Sequence, residues 1–154
     1  MKQTLVLACG NSLRGDDGVA FQVVDCLRRD KCDPGTEFQS QPQWTPELAE
    51  AISRVEVVIF VDASAGMTPG EIACRQVRSA TNLSPGMTHQ TSPESLLLLA
   101  KEIYGKHPSE AYLVTIGGAA FEMQEVLSEP VRRAIPRSVE RIKALLAGAA
   151  MPEV

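Results

Sequence analysis

VEVVIFVDAS, residues 55–64, is apolar at every position before Asp62 except Glu56, and most of those residues are β-branched. β-Branched side chains suit extended backbone, and apolarity on both faces suits a strand at the centre of a parallel sheet, covered by helices on either side. The run stops at Asp62. Whichever rim of the sheet receives the carboxyl end of this strand therefore also receives a carboxylate.

Comparable units flank it. Residues 3–9 (QTLVLAC) form a shorter β-compatible apolar run, halted by Gly10-Asn11. From Asp16 onward, Val19, Phe21, Val23, Val24 and Leu27 suit a helix that reaches Arg28-Arg29, where basic residues complement the negative end of the helix dipole. Residues 36–41 (TEFQSQ) read as a short, weakly patterned strand. Thr45-Pro46-Glu47 reads as an N-cap with proline at the first helical position, opening a helix to about Arg54. Beyond the central run, residues 71–78 (EIACRQVR) alternate as an edge or antiparallel strand does. Ser92-Pro93-Glu94-Ser95 caps a helix that runs to Tyr104, with Gly105 as its stop. AYLVTIGG, 111–118, is the last strand, and 130–149 contain a closing amphipathic helix with Val139, Ile142, Leu145 and Leu146 on one face. Strands alternating with helices predict a three-layer α/β/α sandwich with a largely parallel central sheet of about five strands. All 154 residues are expected to form a single domain.

Composition narrows the function. Hydrophobic content of 44% and charged content of 22% are those of an ordinary globular chain. A net charge of −4 without a basic run argues against nucleic acid and anionic membranes as partners. The opening MKQTLVLACGN is too short and too soon interrupted for a signal peptide, and no apolar run approaches the ~18 residues of a membrane helix. A cytoplasmic location is the expectation that follows, and a monomer is expected because no long amphipathic surplus or coiled-coil seam is evident. Cys9, Cys26, Cys32 and Cys74 lack zinc-finger spacing and read as small buried thiols in a reducing compartment.

The polar residues that stand out gather at strand ends. GNSLRGDDG, 10–18, has the glycine spacing of a phosphate-binding loop but carries Asp16 and Asp17 where such a loop has Lys and Ser or Thr. Two acids there repel phosphate; with a further carboxylate and an imidazole they attract a cation. In open α/β sheets ligands bind beyond the carboxyl ends of the strands. That rule brings Asp17, after the first strand, and Asp62, after the central one, to one rim. His89, in MTHQTSPES, lies in the loop leading into the third long helix. A plainer reading stands beside this one on spacing alone. Acids at a helix start cap free amides, as Asp16 is expected to do, Asp62 can satisfy turn amides, and His89 can be a surface loop residue.

The run LVLACGNSLRGDDGVAFQVV resembles the amino-terminal signature of the [NiFe]-hydrogenase maturation endopeptidases, a strand followed by G-N-x-L-x-x-D-(D/E)-G. The similarity continues through WTPELAEAI at 44–52, VVIFVDAS at 57–64, THQTSPESLLLLAKEIYG at 88–105 and LVTIGGAAFEMQEVLSEPVRRAIP at 113–136. In that last stretch Gly118, Phe121, Leu127 and Ser128 fit the late G-x-x-F…L-S motif. The resemblance implies an endopeptidase that removes a short C-terminal extension from the hydrogenase large-subunit precursor after nickel insertion. It also implies that Asp17, Asp62 and His89 contact that nickel, which the substrate carries. The chain departs from the pattern in having Asp17 where Glu is frequent, Ala20 where Gly is common, and FEMQEVLS without a second glycine.

Carboxylate and imidazole together suit nickel or a similar divalent ion, and three protein ligands leave positions for substrate or water. G-x-S-x-G and H-E-x-x-H are both absent, and the two histidines, His89 and His107, are 18 apart. A Cys–His nucleophile is the weaker catalytic alternative, and His107 reads as an exposed turn residue. Arg14 and Trp44 are candidates for lining a substrate groove. Other classes stay open: a non-catalytic nickel chaperone or sensor on the same rim, and a nucleotide-binding protein, against which the acids at 16 and 17 speak.

Overall fold

A computed structural model describes residues 2–30, 34–83 and 91–148. Strands β1 (Thr4–Cys9), β2 (Thr36–Gln41), β3 (Val57–Ser64), β4 (Ile72–Gln76) and β5 (Glu110–Gly117) form one sheet in the order β2-β1-β3-β5-β4. β1 pairs in parallel with both β2 and β3, and β3 pairs in parallel with β5, with Asp62 opposite Thr115. Only β4 is antiparallel, on the edge beside β5. It follows β3 after a short loop, and a parallel return would need a crossover of a dozen or more residues.

The three layers follow from the alternation of side chains along each strand. Val6 and Ala8 of β1, with Val57, Ile59 and Val61 of β3, face α1 (Val19–Arg29) and α4 (Glu129–Leu146). Leu5, Leu7 and Cys9, with Val58 and Phe60, face α2 (Leu48–Ser53) and α3 (Pro93–Tyr104). Phe60 is fully buried, and burial of a side chain of that size is worth roughly 1.5–3 kcal/mol. Sandwich and mostly parallel sheet thus agree with the pattern read from VEVVIFVDAS.

Local signals mark several boundaries. The Ser92 hydroxyl accepts the Ser95 amide, and Gly105 ends α3 in the left-handed region. Other boundaries differ from expectation. The helix expected from Asp16 starts as a 3-10 turn, Gly15–Gly18, and becomes α-helical only at Val19. α2 begins at Leu48, with the Thr45 carbonyl accepting the Leu48 amide, because Thr45 closes a turn before the helix proper. The last helix begins at Glu129 and ends at Leu146. Among the described cysteines only Cys9 is buried, whereas Cys26 and Cys74, expected to be buried, are part-exposed; none of the three is in a disulfide, and Cys32 lies outside the described residues. No described helix is long and apolar enough to cross a membrane.

Candidate functional site

The strand order sets the location. From β1 the chain goes to β2 on one side, then returns to β3 on the other, so the order reverses between β1 and β3. Such a reversal marks the place, beyond the carboxyl ends of the two strands, where ligands of open α/β sheets bind. Asp17 comes from the 3-10 turn after β1, and Asp62 lies within β3, two residues before its carboxyl end. They lie in one another's field: the Asp17 charge is among the causes that raise Asp62. Asp62 continues the parity of Val58 and Phe60, which directs it toward the α2/α3 side, the side that Cys9 also faces.

The turn that presents Asp17 is folded tightly on itself. The Asn11 amide donates to the Asp17 carbonyl (3.1 Å) and the Asp17 amide to the Arg14 carbonyl (3.2 Å). Gly10 passes so close that a Cβ there would overlap the Asp17 carbonyl. Gly15 has φ +56°, and a Cβ on it would lie 2.5 Å from the Ala120 carbonyl oxygen. Both glycines of the motif are therefore required by close approach of backbone, as in a phosphate-binding loop, but for a different purpose.

Asp16, expected to cap its own helix, does something else. Among the described residues no side chain caps the 3-10 turn or α1. The Asp16 carboxylate, fully buried, instead accepts the amides of Ala119 (2.7 Å), Ala120 (2.8 Å) and Ser128 (2.7 Å) and the Ser128 hydroxyl (2.7 Å). Burial alone pushes its carboxyl up, but these bonds from Ser128, Ala120 and Ala119 outweigh it and hold the group below its ordinary range. The cap reading fails because the donors of a distant loop outnumber those of the helix start.

Electrostatics separate the two remaining acids from an ordinary surface pair. Burial pushes Asp62 up to about 6, opposed by the Ala63 amide (2.8 Å) and reinforced by Asp17. Asp17 is also raised by burial, against the lowering influence of the Arg14 guanidinium and the Asn11 amide. Beside them the Cys9 thiol is pushed up to about 12, by burial first and then by Asp62 and Asp17. Cys9 donates to the Pro42 carbonyl (3.7 Å), so it is a protonated thiol at neutral pH rather than a nucleophile.

His89 lies outside the described residues. The described chain resumes at Thr91, whose amide donates to the Trp44 carbonyl (3.0 Å), in the loop after β2. Among the described residues no three His, Cys, Asp or Glu side chains group as metal ligands. Trp44 does not line a groove: it is buried and meets Phe60 edge-on, ring centroids 5.3 Å apart. Arg14 is exposed, its Nε donating to the Phe121 carbonyl (3.4 Å). His107 is exposed, with Nδ1 against the Pro108 carbonyl (2.9 Å). A groove of about 650 Å3 between β4 and α4, lined by Glu71, Ile72, Arg137 and Arg141 among others, contains neither acid. The contribution that spacing did not reveal is that of the 118–128 loop, since only the fold joins it to Asp16.

No protein-family model matches the chain, and no curated protein does. Its fold matches solved structures over nearly its whole length. The hydrogenase maturating endopeptidase HybD from E. coli superposes with a TM-score of 0.72 at 23% identity, covering 95% of this chain and 93% of that one. A hydrogenase 2 maturation peptidase from a Thaumarchaeota archaeon superposes with a TM-score of 0.71 at 27% identity, covering 94% and 98%. The [NiFe] hydrogenase maturation protease HycI from Thermococcus kodakarensis KOD1 gives 0.69 at 23% identity, covering 95% and 94%. The resemblance to [NiFe]-hydrogenase maturation proteases read from the motifs therefore holds in three dimensions.

Proposed function

We propose that this chain is a maturation endopeptidase that removes the C-terminal extension of a [NiFe]-hydrogenase large-subunit precursor once nickel has been inserted. The observation that carries the reading is the pair Asp17 and Asp62 where the strand order reverses between β1 and β3. Each is raised by burial, and no described basic side chain offsets Asp62. Two part-buried carboxylates in one another's field are poorly served by water and protein alone; a divalent cation relieves both burdens together. The fold shared with proteins named as hydrogenase maturation peptidases supports the same conclusion.

In this reading the ion arrives with the substrate, so it is recognition signal and electrophile at once. It supplies Lewis acidity toward the scissile carbonyl. The chain's own residues do the rest. Asp17 binds from the 3-10 turn after β1 and Asp62 from the carboxyl end of β3, and His89, two residues before the anchored Thr91, is assigned as the nitrogen donor. Below about pH 6, Asp62 holds a proton that must leave before it can ligate. In this reading the chain acts as one domain and works as a cytoplasmic monomer.

The test is incubation of the protein with nickel-loaded and nickel-free precursor, read by mass spectrometry. The reading expects loss of a small C-terminal fragment from the nickel-loaded form alone. Nickel-dependent association without any cleavage would transfer the protein to the class of chaperones or sensors.

A further inference from the structure

The 118–128 loop is joined to the Asp17 turn more extensively than a packing contact requires. The Gly15 amide donates to the Gln124 carbonyl (2.7 Å), the Gln124 amide to the Leu13 carbonyl (2.9 Å), and the Asp16 amide to the Ala120 carbonyl (2.8 Å). Arg14, whose charge lowers Asp17, is tied through Nε to the Phe121 carbonyl in the same loop. At the centre is the Asp16 carboxylate, with all four of its donors drawn from Ala119, Ala120 and Ser128. Gly118 lies against it, since a Cβ there would be 3.0 Å from the Asp16 Cβ.

We propose that Asp16 is a positioning residue: its carboxylate clamps the 118–128 loop onto the turn and so fixes the direction in which Asp17 meets the cation. This rests on the cation reading of Asp17 given above. The Asp16 carboxylate is fully buried and both of its oxygens are taken up by these donors, so it does not bind the ion itself. Asp17 follows it directly on a 3-10 turn of four residues, where rotation of one residue turns the next. A carboxylate is needed because every partner is a donor. A neutral amide of the same shape presents an N–H where the protein already presents one. Ser128 is also the N-cap residue of α4, so the clamp ties the turn to the longest described helix, which gives Asp17 a rigid reference.

The test is a cycle of Asp16→Asn and Asp17→Asn, with free nickel as the probe. Binding is followed by paramagnetic broadening of amide signals, which reads affinities into the millimolar range. Circular dichroism checks the fold, and Ser128→Ala, which removes one donor and keeps the backbone bonds, serves as the milder variant if Asp16→Asn does not fold. The expected result is about a tenfold loss of nickel affinity for Asp16→Asn, the scale seen when a group that orients a ligand is removed. In the Asp17→Asn background the same change should cost little more, because its effect passes through Asp17. Equal losses in both backgrounds, or none in either, would overturn the positioning role while leaving the nickel reading intact. If the wild-type chain binds no free nickel, the cycle is read instead as cleavage of nickel-loaded precursor, with the same two outcomes. A wild type that neither binds nor cleaves defeats both the proposed function and the positioning role.

Discussion

Asp17 raises the proton affinity of Asp62 from across the boundary between β1 and β3, although one lies on the 3-10 turn after β1 and the other within β3. The relation gives the metal-free protein a pH dependence of definite sign. Asp62 has a folded pKa of about 6 against an ordinary value of 3.8. Its ionisation is therefore harder in the folded chain than in the unfolded one. The resulting penalty is absent below pH 3.8, grows as pH rises, and is complete above about 6. Asp62→Asn should be more stable than wild type at pH 7, by at most roughly 3 kcal/mol, with the difference gone near pH 4. Urea titrations at the two pH values check it; equal stabilities at pH 7 would contradict it.

Asp16 should behave oppositely. Its carboxyl lies below the ordinary range, so its contribution to stability is complete above the unfolded pKa and is lost as pH falls through the folded one. Asp16→Ala strands three backbone amides that now have a carboxylate partner, those of Ala119, Ala120 and Ser128. The expected cost is on the order of 3–5 kcal/mol, a large share of the stability of a domain this size. Chemical denaturation at neutral pH measures it, and a loss below about 1 kcal/mol would show that the clamp is dispensable.

Gly10→Ala places a Cβ into the Asp17 carbonyl, backbone that cannot give way without moving the turn. It should lower the melting temperature and weaken nickel binding together. Gly66→Ala, where the nearest atom is Ser64 Oγ at 3.7 Å, should do neither. If Gly10→Ala leaves nickel affinity unchanged, the tight turn does not serve Asp17.

Cys9, with its thiol pushed up to about 12 and nearly all of it buried, should resist alkylation at pH 7 until the protein unfolds. Cys9→Ala should retain precursor cleavage within a few-fold. Loss of cleavage in a folded Cys9→Ala variant would restore a thiol mechanism to consideration.

Much of this was legible from residue types. An apolar β-branched run with one polar end is a central strand because burial on both faces admits little else, and VEVVIFVDAS paired as such. The alternation at 71–78 marked the edge strand, and Ser92 and Gly105 marked both ends of α3. Asp17 and Asp62 came to one rim because strand order is constrained by chain connectivity. What was not legible depended on long-range partners. Nothing near Asp16 in the chain distinguishes a cap from a clamp, since the donors it takes lie more than 100 positions away. Trp44 likewise reads as a groove residue from its sequence neighbours, whereas in the fold it is buried edge-on against Phe60.

The central claim is that two acids and the His89 imidazole share one cation supplied by the substrate. The most direct measurement is the extent of cleavage of nickel-loaded precursor by a His89→Ala variant whose fold is shown by circular dichroism to be intact. The account predicts a folded protein that leaves the precursor at its full mass. Complete processing by that variant would contradict it.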